Sequence, residues 1–259
     1  MEHEGTVPAV TGALANKVAI VTGGAGGLGR AVAQRFLDEG LSGLALVDSQ
    51  EDRLRSCGQQ LDAGRGVVVP VVADVREEAE MQNVVKATVA RFGRLDIMVN
   101  NAGVVPANGR IHNSTTEDWR RVLDINVLGV VNGTRAALTV MRPAKSGCVV
   151  NTSSVAAFTV WPHAAAYCAS KAAVSAFTRV AAAEYAKDGI RVNCVAPGAF
   201  PSSIHEQTPE EAMQEIEAKH PLGMGKAEDV CEAYVYLASS RARWVTGTTV
   251  VVDGGYSLT

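Results

Sequence analysis

The 259-residue chain has no cluster of lysine and arginine, and its 24 basic residues are outnumbered by 27 acidic ones, for a net charge of -3. Nothing in that balance is built to neutralise a nucleic-acid backbone, so no nucleic-acid partner is expected. No apolar run approaches the ~20 residues that cross a bilayer, which excludes a helical membrane protein. The first residues, MEHEGTVPAVTG, carry acids and a proline instead of a basic start and an apolar core. Their composition is that of a flexible tail over residues 1–14 rather than a signal peptide. The five cysteines, Cys57, Cys148, Cys168, Cys194 and Cys231, include no Cys-x-x-Cys pair. They read as reduced packing residues of a cytoplasmic protein. The five histidines form no ligand pattern, so no metal is expected. Aromatic residues make up only 5% of the chain. Alanine, valine and glycine are abundant instead, which suits a parallel sheet under close-packed helices.

What is present is an alternation of strand and helix patterns from residue 17 to the end. Val18 to Val21 is a short β-branched run that ends in TGGAGGLG, Thr22 to Gly29. An amphipathic helix follows, with Leu28, Val32, Phe36 and Leu37 on one side. A second strand, Leu44 to Val47, delivers Asp48. Strand, glycine turn, helix, strand and acid form a dinucleotide-binding unit, in which glycines admit the pyrophosphate and the helix N-terminus attracts it. An acid at the end of the second strand bonds the adenosine ribose hydroxyls and repels a 2′-phosphate. No cation is placed beside it in the local sequence, since Gly26 precedes Gly27 and Ser49 follows Asp48. The spacing therefore predicts NAD(H) over NADP(H). A third strand, Val67 to Val72, leads to Asp74 and Val75, and a fourth, Leu95 to Val99, leads to Asn100-Asn101-Ala102-Gly103. Ser114 to Glu117 reads as the capping box of one long helix to about Met141, with Asn126 inside it.

The fifth strand, about Cys148 to Thr152, delivers Ser153 and Ser154. Pro162 then breaks the chain before a helix that carries Tyr167 and Lys171, four apart and so on one face. An ammonium beside a phenol favours the phenolate and is expected to lower the tyrosine pKa, which starts near ~10. That would make Tyr167 a proton donor and acceptor near neutral pH. Ser154, thirteen residues upstream, could hydrogen-bond the oxygen that the tyrosine protonates. A sixth strand, Ile190 to Val195, ends in Pro197-Gly198. Residues 199–226 are irregular and contain Pro201, Pro209 and Pro221, the pattern of a substrate lid. A helix over 227–238 and a strand over Thr248 to Val252 close the chain. Residues 15–259 thus predict one α/β domain, a Rossmann fold with a doubly wound parallel sheet of about seven strands and helices on both faces.

In order and spacing these stretches resemble the short-chain dehydrogenase/reductase family over about residues 15 to 257. By that resemblance the cofactor turn is Thr22, Gly23, Gly27, Leu28 and Gly29. Asp74 and the Val75 backbone lie at the adenine, Asn101, Ala102 and Gly103 along the cofactor, and Pro197 and Gly198 at the nicotinamide. The family often has a threonine four residues after that glycine; here the position holds Ser202, approached through Pro201. The catalytic set corresponds to Asn126, Ser154, Tyr167 and Lys171. Tyr167 would exchange a proton with a ketone or secondary alcohol, Ser154 polarise the carbonyl, Lys171 lower the tyrosine pKa and hold the ribose, and Asn126 hold a water.

Val104, Val105, Val155, Trp161, His163 and the lid from Phe200 to His220 are the substrate-pocket residues expected from position, mainly apolar and suited to an alicyclic, aromatic or steroid-like ketone. Trp161 could instead be packing, and His163 a surface residue at a helix start. The family commonly forms homotetramers through the helices carrying Asn126 and Tyr167 and the last strand. Two rivals remain at this level. An NADPH-linked 3-oxoacyl thioester reductase requires a cation near the ribose, and a non-catalytic NAD-sensing protein predicts an eroded catalytic set.

Overall fold

The computed structural model describes residues 12–105, 109–201 and 210–259. Its strands are β1 (Val18–Thr22), β2 (Gly43–Asp48), β3 (Val68–Val72), β4 (Ile97–Asn100), β5 (Gly147–Thr152), β6 (Ile190–Pro197) and β7 (Thr249–Val252). They form one sheet in the order β3-β2-β1-β4-β5-β6-β7, and every pairing is parallel. From β1 the chain builds outward to one edge, and from β4 outward to the other. Between those neighbours the connections part, which opens a crevice at the carboxyl edge of the sheet.

The helices are α1 (Gly27–Asp38), α2 (Glu51–Asp62), α3 (Glu78–Phe92), α4 (Thr116–Leu123), α5 (Gly129–Ala144), α6 (Ala165–Tyr185), α7 (Glu210–Ala218) and α8 (Ala227–Ala238). Helices α1, α2 and α8 bury Phe36, Leu54 and Tyr234 against one face of the sheet. Helices α3, α5 and α6 bury Met81, Met141 and Ala182 against the other. A sheet covered on both faces explains why its strands read as continuous apolar runs rather than alternating ones. Truncating a fully buried side chain such as Phe36 to alanine would cost about 3–5 kcal/mol.

Three expectations need correction. Residues 12–14 are not part of a loose tail. Leu14 is fully buried, its N–H bonds the Glu39 carbonyl, and the Ala13 N–H bonds the Glu39 carboxylate at 2.8 Å. The capping box belongs to Thr115 and Asp118, one residue later than predicted: Thr115 Oγ1 accepts the Asp118 N–H, and Asp118 Oδ2 accepts the Thr115 N–H, both at 3.1 Å. The helix that follows is not continuous. A π turn, Asp124–Leu128, joins α4 to α5, and Asn126 lies in it with no exposed surface. Such an inserted residue turns a side chain off the helical repeat, and here it turns Asn126 toward the sheet edge.

Candidate active site

A cavity of about 690 Å³ runs along the carboxyl edge of the sheet, from the end of β2 to the start of α6 and the segment after β6. That volume is ordinary for a small-molecule site. Gly23, Gly27, Leu28 and Gly29 line one stretch of it. Gly29 has no substitute there, because a Cβ would stand 2.1 Å from the Gly23 carbonyl oxygen. The turn therefore packs against the first turn of α1, and Gly27, Leu28 and Gly29 of that turn line the cavity.

Asp48 reaches the same turn. One carboxylate oxygen accepts the Ala25 N–H and the other the Gln50 N–H, each at 3.1 Å. A carboxylate offers about four acceptor positions, so Asp48 can still accept two hydroxyl protons. Asp74 and Val75 line the cavity nearby. Arg76 pairs with Asp74 through three hydrogen bonds and holds its carboxyl below the usual carboxylate range. The expectation of no nearby cation fails. Arg76 lines the cavity, and so does Arg53, from the first turn of α2, bonding the Gln50 side chain at 3.2 Å. Arg53 follows Asp48 by only five residues, so the start of the helix after β2 was the signal for it.

Thr22 is a clamp rather than a cavity residue. It is 2% exposed, and its hydroxyl accepts the N–H groups of Asn101 and Ala102 at 3.0 and 3.1 Å. The Asn101 amide returns a bond to the Thr22 carbonyl at 3.0 Å. These bonds lock the β4 exit against the glycine turn and leave Asn101, Ala102 and Gly103 on the cavity wall.

Ser154, Tyr167 and Lys171 meet on the same cavity. Pro162 precedes α6, and its first two turns present both Tyr167 and Lys171, which are 8% and 4% exposed. Lys171 Nζ lies 5.6 Å from the Tyr167 ring centroid and donates to the Thr152 carbonyl at 3.0 Å. Burial pulls the Lys171 pKa down to about 8. Burial also pushes the Tyr167 phenol up, with a hydrogen bond from Ser154 opposing it. The expected lowering of the tyrosine is thus reversed, because desolvation of the phenolate outweighs the Ser154 hydrogen bond that favours it. Ser154 Oγ accepts the Ala156 N–H at 3.1 Å. Ser153 instead bonds the Lys171 carbonyl and Ser175, which leaves Ser154 as the serine free to serve the tyrosine.

Asn126 does not line the cavity. Its carbonyl oxygen accepts the Val104 N–H at 2.8 Å, and its amide donates to the Val104 carbonyl and to Ser170 Oγ at 2.9 and 3.0 Å. With the side chain spent in this way, it ties the segment after β4 to α6.

At the far end, Val104, Val105, Trp161, His163 and Phe200 line the cavity. Val155 does not: it has no exposed surface and begins a buried 3₁₀ turn. Ser202 lies outside the described residues. Ile216 and Lys219, inside the expected lid, also face this end, and sequence reasoning missed Val160 and Tyr256, which do so too. Tyr256 alone carried a signal, as a rare aromatic just after a glycine pair beyond the last strand.

A family model described as enoyl-(acyl carrier protein) reductase matches residues 23–257. The chain is 41% identical over 249 residues to 3beta-hydroxysteroid dehydrogenase 1 of Eggerthella lenta, covering 95% of each. It is 36% identical over 243 residues to 3-oxoacyl-(acyl-carrier-protein) reductase FabG of Thermotoga maritima, covering 93% of this chain and 98% of that one. Its fold is similar to the crystal structure of levodione reductase, with a TM-score of 0.88 at 34% identity over 95% of this chain and 99% of that one.

Proposed function

The chain belongs to the short-chain dehydrogenase/reductase family, and on that premise we propose that it interconverts a secondary alcohol and a ketone by hydride transfer to or from NAD(H). The observation that carries this reading is the convergence of Ser154, Tyr167 and Lys171 on the cavity that also holds the glycine turn and Asp48. The residues present fit a dinucleotide: the Gly23–Gly29 cradle has no room for a Cβ at Gly29, and Asp48 keeps acceptor capacity toward the cavity. When bound, the nicotinamide supplies or takes the hydride.

Tyr167 is the general acid/base. Its raised pKa keeps it protonated near neutrality, ready to donate to a ketone oxygen. Ser154 bonds that oxygen and holds it against the phenol. Lys171, with a pKa of about 8, is mostly cationic at pH 7 and offsets negative charge that develops on the tyrosine. It would also hold the ribose hydroxyls of the cofactor. Asn126 acts by positioning, since its side chain fixes Val104 and Ser170. Gly23, Gly27, Leu28 and Gly29 would cradle the pyrophosphate, Asp74 and Val75 would hold the adenine, and Asn101, Ala102, Gly103, Pro197 and Gly198 would hold the ribose and nicotinamide.

Val105, Trp161, Phe200 and Ile216 give the substrate end an apolar lining, suited to an alicyclic or steroid-like ketone. Of the expected lid, residues 199–201 and 210–226 are described, and Phe200, Ile216 and Lys219 in them line this end of the cavity. The relative active on a hydroxysteroid and the levodione reductase structure support a ring-bearing substrate. A second reading, an NADPH-linked 3-oxoacyl thioester reductase, gains support from Arg53 and Arg76 beside Asp48 and from the relative FabG. Asp48 favours the first reading, because its carboxylate would repel a 2′-phosphate. Fluorescence titration with NADH and NADPH, followed by ketones, secondary alcohols and a 3-oxoacyl thioester, separates the two. Preference for NADPH with turnover of the thioester would overturn the first.

The five cysteines are all unpaired, which favours a reducing compartment, the cytoplasm. Leu128, Val180 on α6 and Val251 on β7 are exposed apolar residues. They lie on the surfaces through which a homotetramer would assemble, and light scattering would decide it: a monomer of 27.1 kDa would count against it.

A further inference from the structure

The substrate end of the cavity is walled by three segments distant in sequence. Gly198 and Phe200 follow β6, Ile216 belongs to α7, and Tyr256 comes from the turn after β7. One buried histidine touches all three. His220 is 4% exposed. Its Nδ1 lies 2.7 Å from the Ile216 carbonyl oxygen, which assigns the ring proton to that nitrogen. Its Nε2 is then an acceptor, and it takes the Ala199 N–H at 3.2 Å. The ring lies against Tyr256 with centroids 4.8 Å apart, and Tyr256 in turn meets Trp161 edge-on at 6.0 Å.

The surroundings leave this arrangement little slack. Asp253 accepts the N–H groups of Gly255 and Ser257 at 2.9 and 2.8 Å, which sets the turn that presents Tyr256. The Leu222 N–H bonds the Gly254 carbonyl at 3.0 Å and joins that turn to the residues after α7. A Cβ on Gly198 would stand 2.7 Å from Asp253 Cα and 3.1 Å from His220 Nε2, so only glycine lets the strand end approach so closely. Helix α7 itself is short and largely exposed, with little apolar surface to hold it down. Its attachment depends on directed bonds at its carboxyl end.

We propose that His220 is a positioning residue for the substrate end of the site. As a neutral imidazole it clasps Ala199, Ile216 and Tyr256 together, so that Phe200, Ile216 and Tyr256 form one preorganised apolar wall. The part of a ring-bearing ketone remote from its reacting carbonyl packs on that wall. This rests on the oxidoreductase reading above.

The test compares His220→Ala and His220→Gln in the full chain. Glutamine keeps one acceptor and one donor; alanine keeps neither. Steady-state kinetics with a cyclic and a short acyclic ketone are paired with NADH titration and amide hydrogen exchange over residues 196–220. His220→Ala is expected to raise KM for the cyclic ketone about tenfold or more while kcat changes little. NADH affinity should hold, amide exchange at Ala199 should quicken, and His220→Gln should recover most of the KM. Unchanged KM in an active His220→Ala enzyme overturns the clasp alone, as does unchanged exchange at Ala199. A wild type that binds NADH and turns over no ketone or alcohol overturns the oxidoreductase reading and the clasp with it.

Discussion

The ammonium of Lys171 donates to the backbone carbonyl of Thr152 at 3.0 Å, a bond that ties the second turn of α6 to the last residue of β5. The acceptor is backbone, so no substitution at Thr152 removes it. The ammonium is thereby fixed 5.6 Å from the Tyr167 ring, where its charge can act on the phenol. Lys171→Ala is expected to lower kcat by roughly 10²–10⁴-fold. The ribose contact would also be lost, so NADH affinity should fall. An active, tightly binding variant in steady-state assays would remove Lys171 from the mechanism.

In the proposed mechanism Tyr167 carries the proton, and its ring packs among Ala156 and Ala164. Phenylalanine keeps that packing and removes only the hydroxyl. Tyr167→Phe is therefore expected to fold normally and bind NADH almost as the wild type does. Its turnover should drop by roughly 10²-fold or more. Calorimetry and NADH fluorescence would check the first two, and a ketone-reduction assay the third. Retained turnover would exclude Tyr167 as the acid.

What was legible in the sequence was local. The β1 run, its glycine turn and Asp48 follow one another within about thirty residues, and the i, i+4 pair Tyr167 and Lys171 needs only helical spacing to share a face. What was not legible depended on tertiary placement. Thr22 and Val155 occupy expected positions but point away from the cavity. The inserted residue of the π turn leaves no composition signal, so the two-way anchoring of Asn126 was invisible. His220 and Tyr256 gain meaning only when the segments after β6, α7 and β7 are brought together. The sign of the tyrosine shift failed for a related reason: it is set by burial depth, which a helical pattern does not give.

Asp48 and Arg53 present opposite charges to the same end of the cavity. On the proposed reading, Asp48 favours ribose hydroxyls over a 2′-phosphate. Asp48→Ala removes the acceptor and leaves Arg53 free to pair with phosphate. NADH affinity should fall and NADPH affinity rise, each by roughly tenfold, the scale of a charge-assisted hydrogen bond. Adding Arg53→Ala should cancel the NADPH gain. Fluorescence titration of the single and double variants checks this, and an unchanged preference in Asp48→Ala would show that the pair does not select the cofactor.

Asn126 is fully buried and bonded to both Val104 backbone groups and to Ser170. Leucine fills similar space but strands the Val104 N–H and carbonyl. A buried group left without a partner costs about 1–3 kcal/mol, and the partly buried Val104 groups fall toward the low end of that range. Asn126→Leu should therefore lower the melting temperature by at least about 2–4 °C, the shift expected per kcal/mol in a chain of this size. Thermal unfolding followed by circular dichroism would show it. An unshifted melting temperature would mean that the Val104 segment finds other partners.

Lys171 should also make stability depend on pH in a sense opposite to the buried acids. Its ordinary pKa of 10.5 is pulled down to about 8 in the fold. Below pH 8 both folded and unfolded chains carry the charge, and the folded state bears its full desolvation cost. Between 8 and 10.5 the unfolded chain holds more protons, so this residue's penalty fades and its contribution to stability rises with pH. A shift of that size corresponds to about 3 kcal/mol. Cys194 and Cys231 act in reverse, because burial pushes their pKa values from 9.0 up to about 11 and about 12. Their stabilisation is complete below pH 9 and is lost as pH climbs through those values. The whole protein should thus weaken at high pH, while the difference between Lys171→Met and wild type moves the other way. Methionine carries no buried charge, so the variant should exceed the wild type in urea midpoint most clearly at pH 7. That advantage should shrink as pH approaches 10.5. A difference that stays constant from pH 7 to 10.5 would mean that Lys171 keeps its ordinary pKa in the fold, and that its charge is held there without cost to stability.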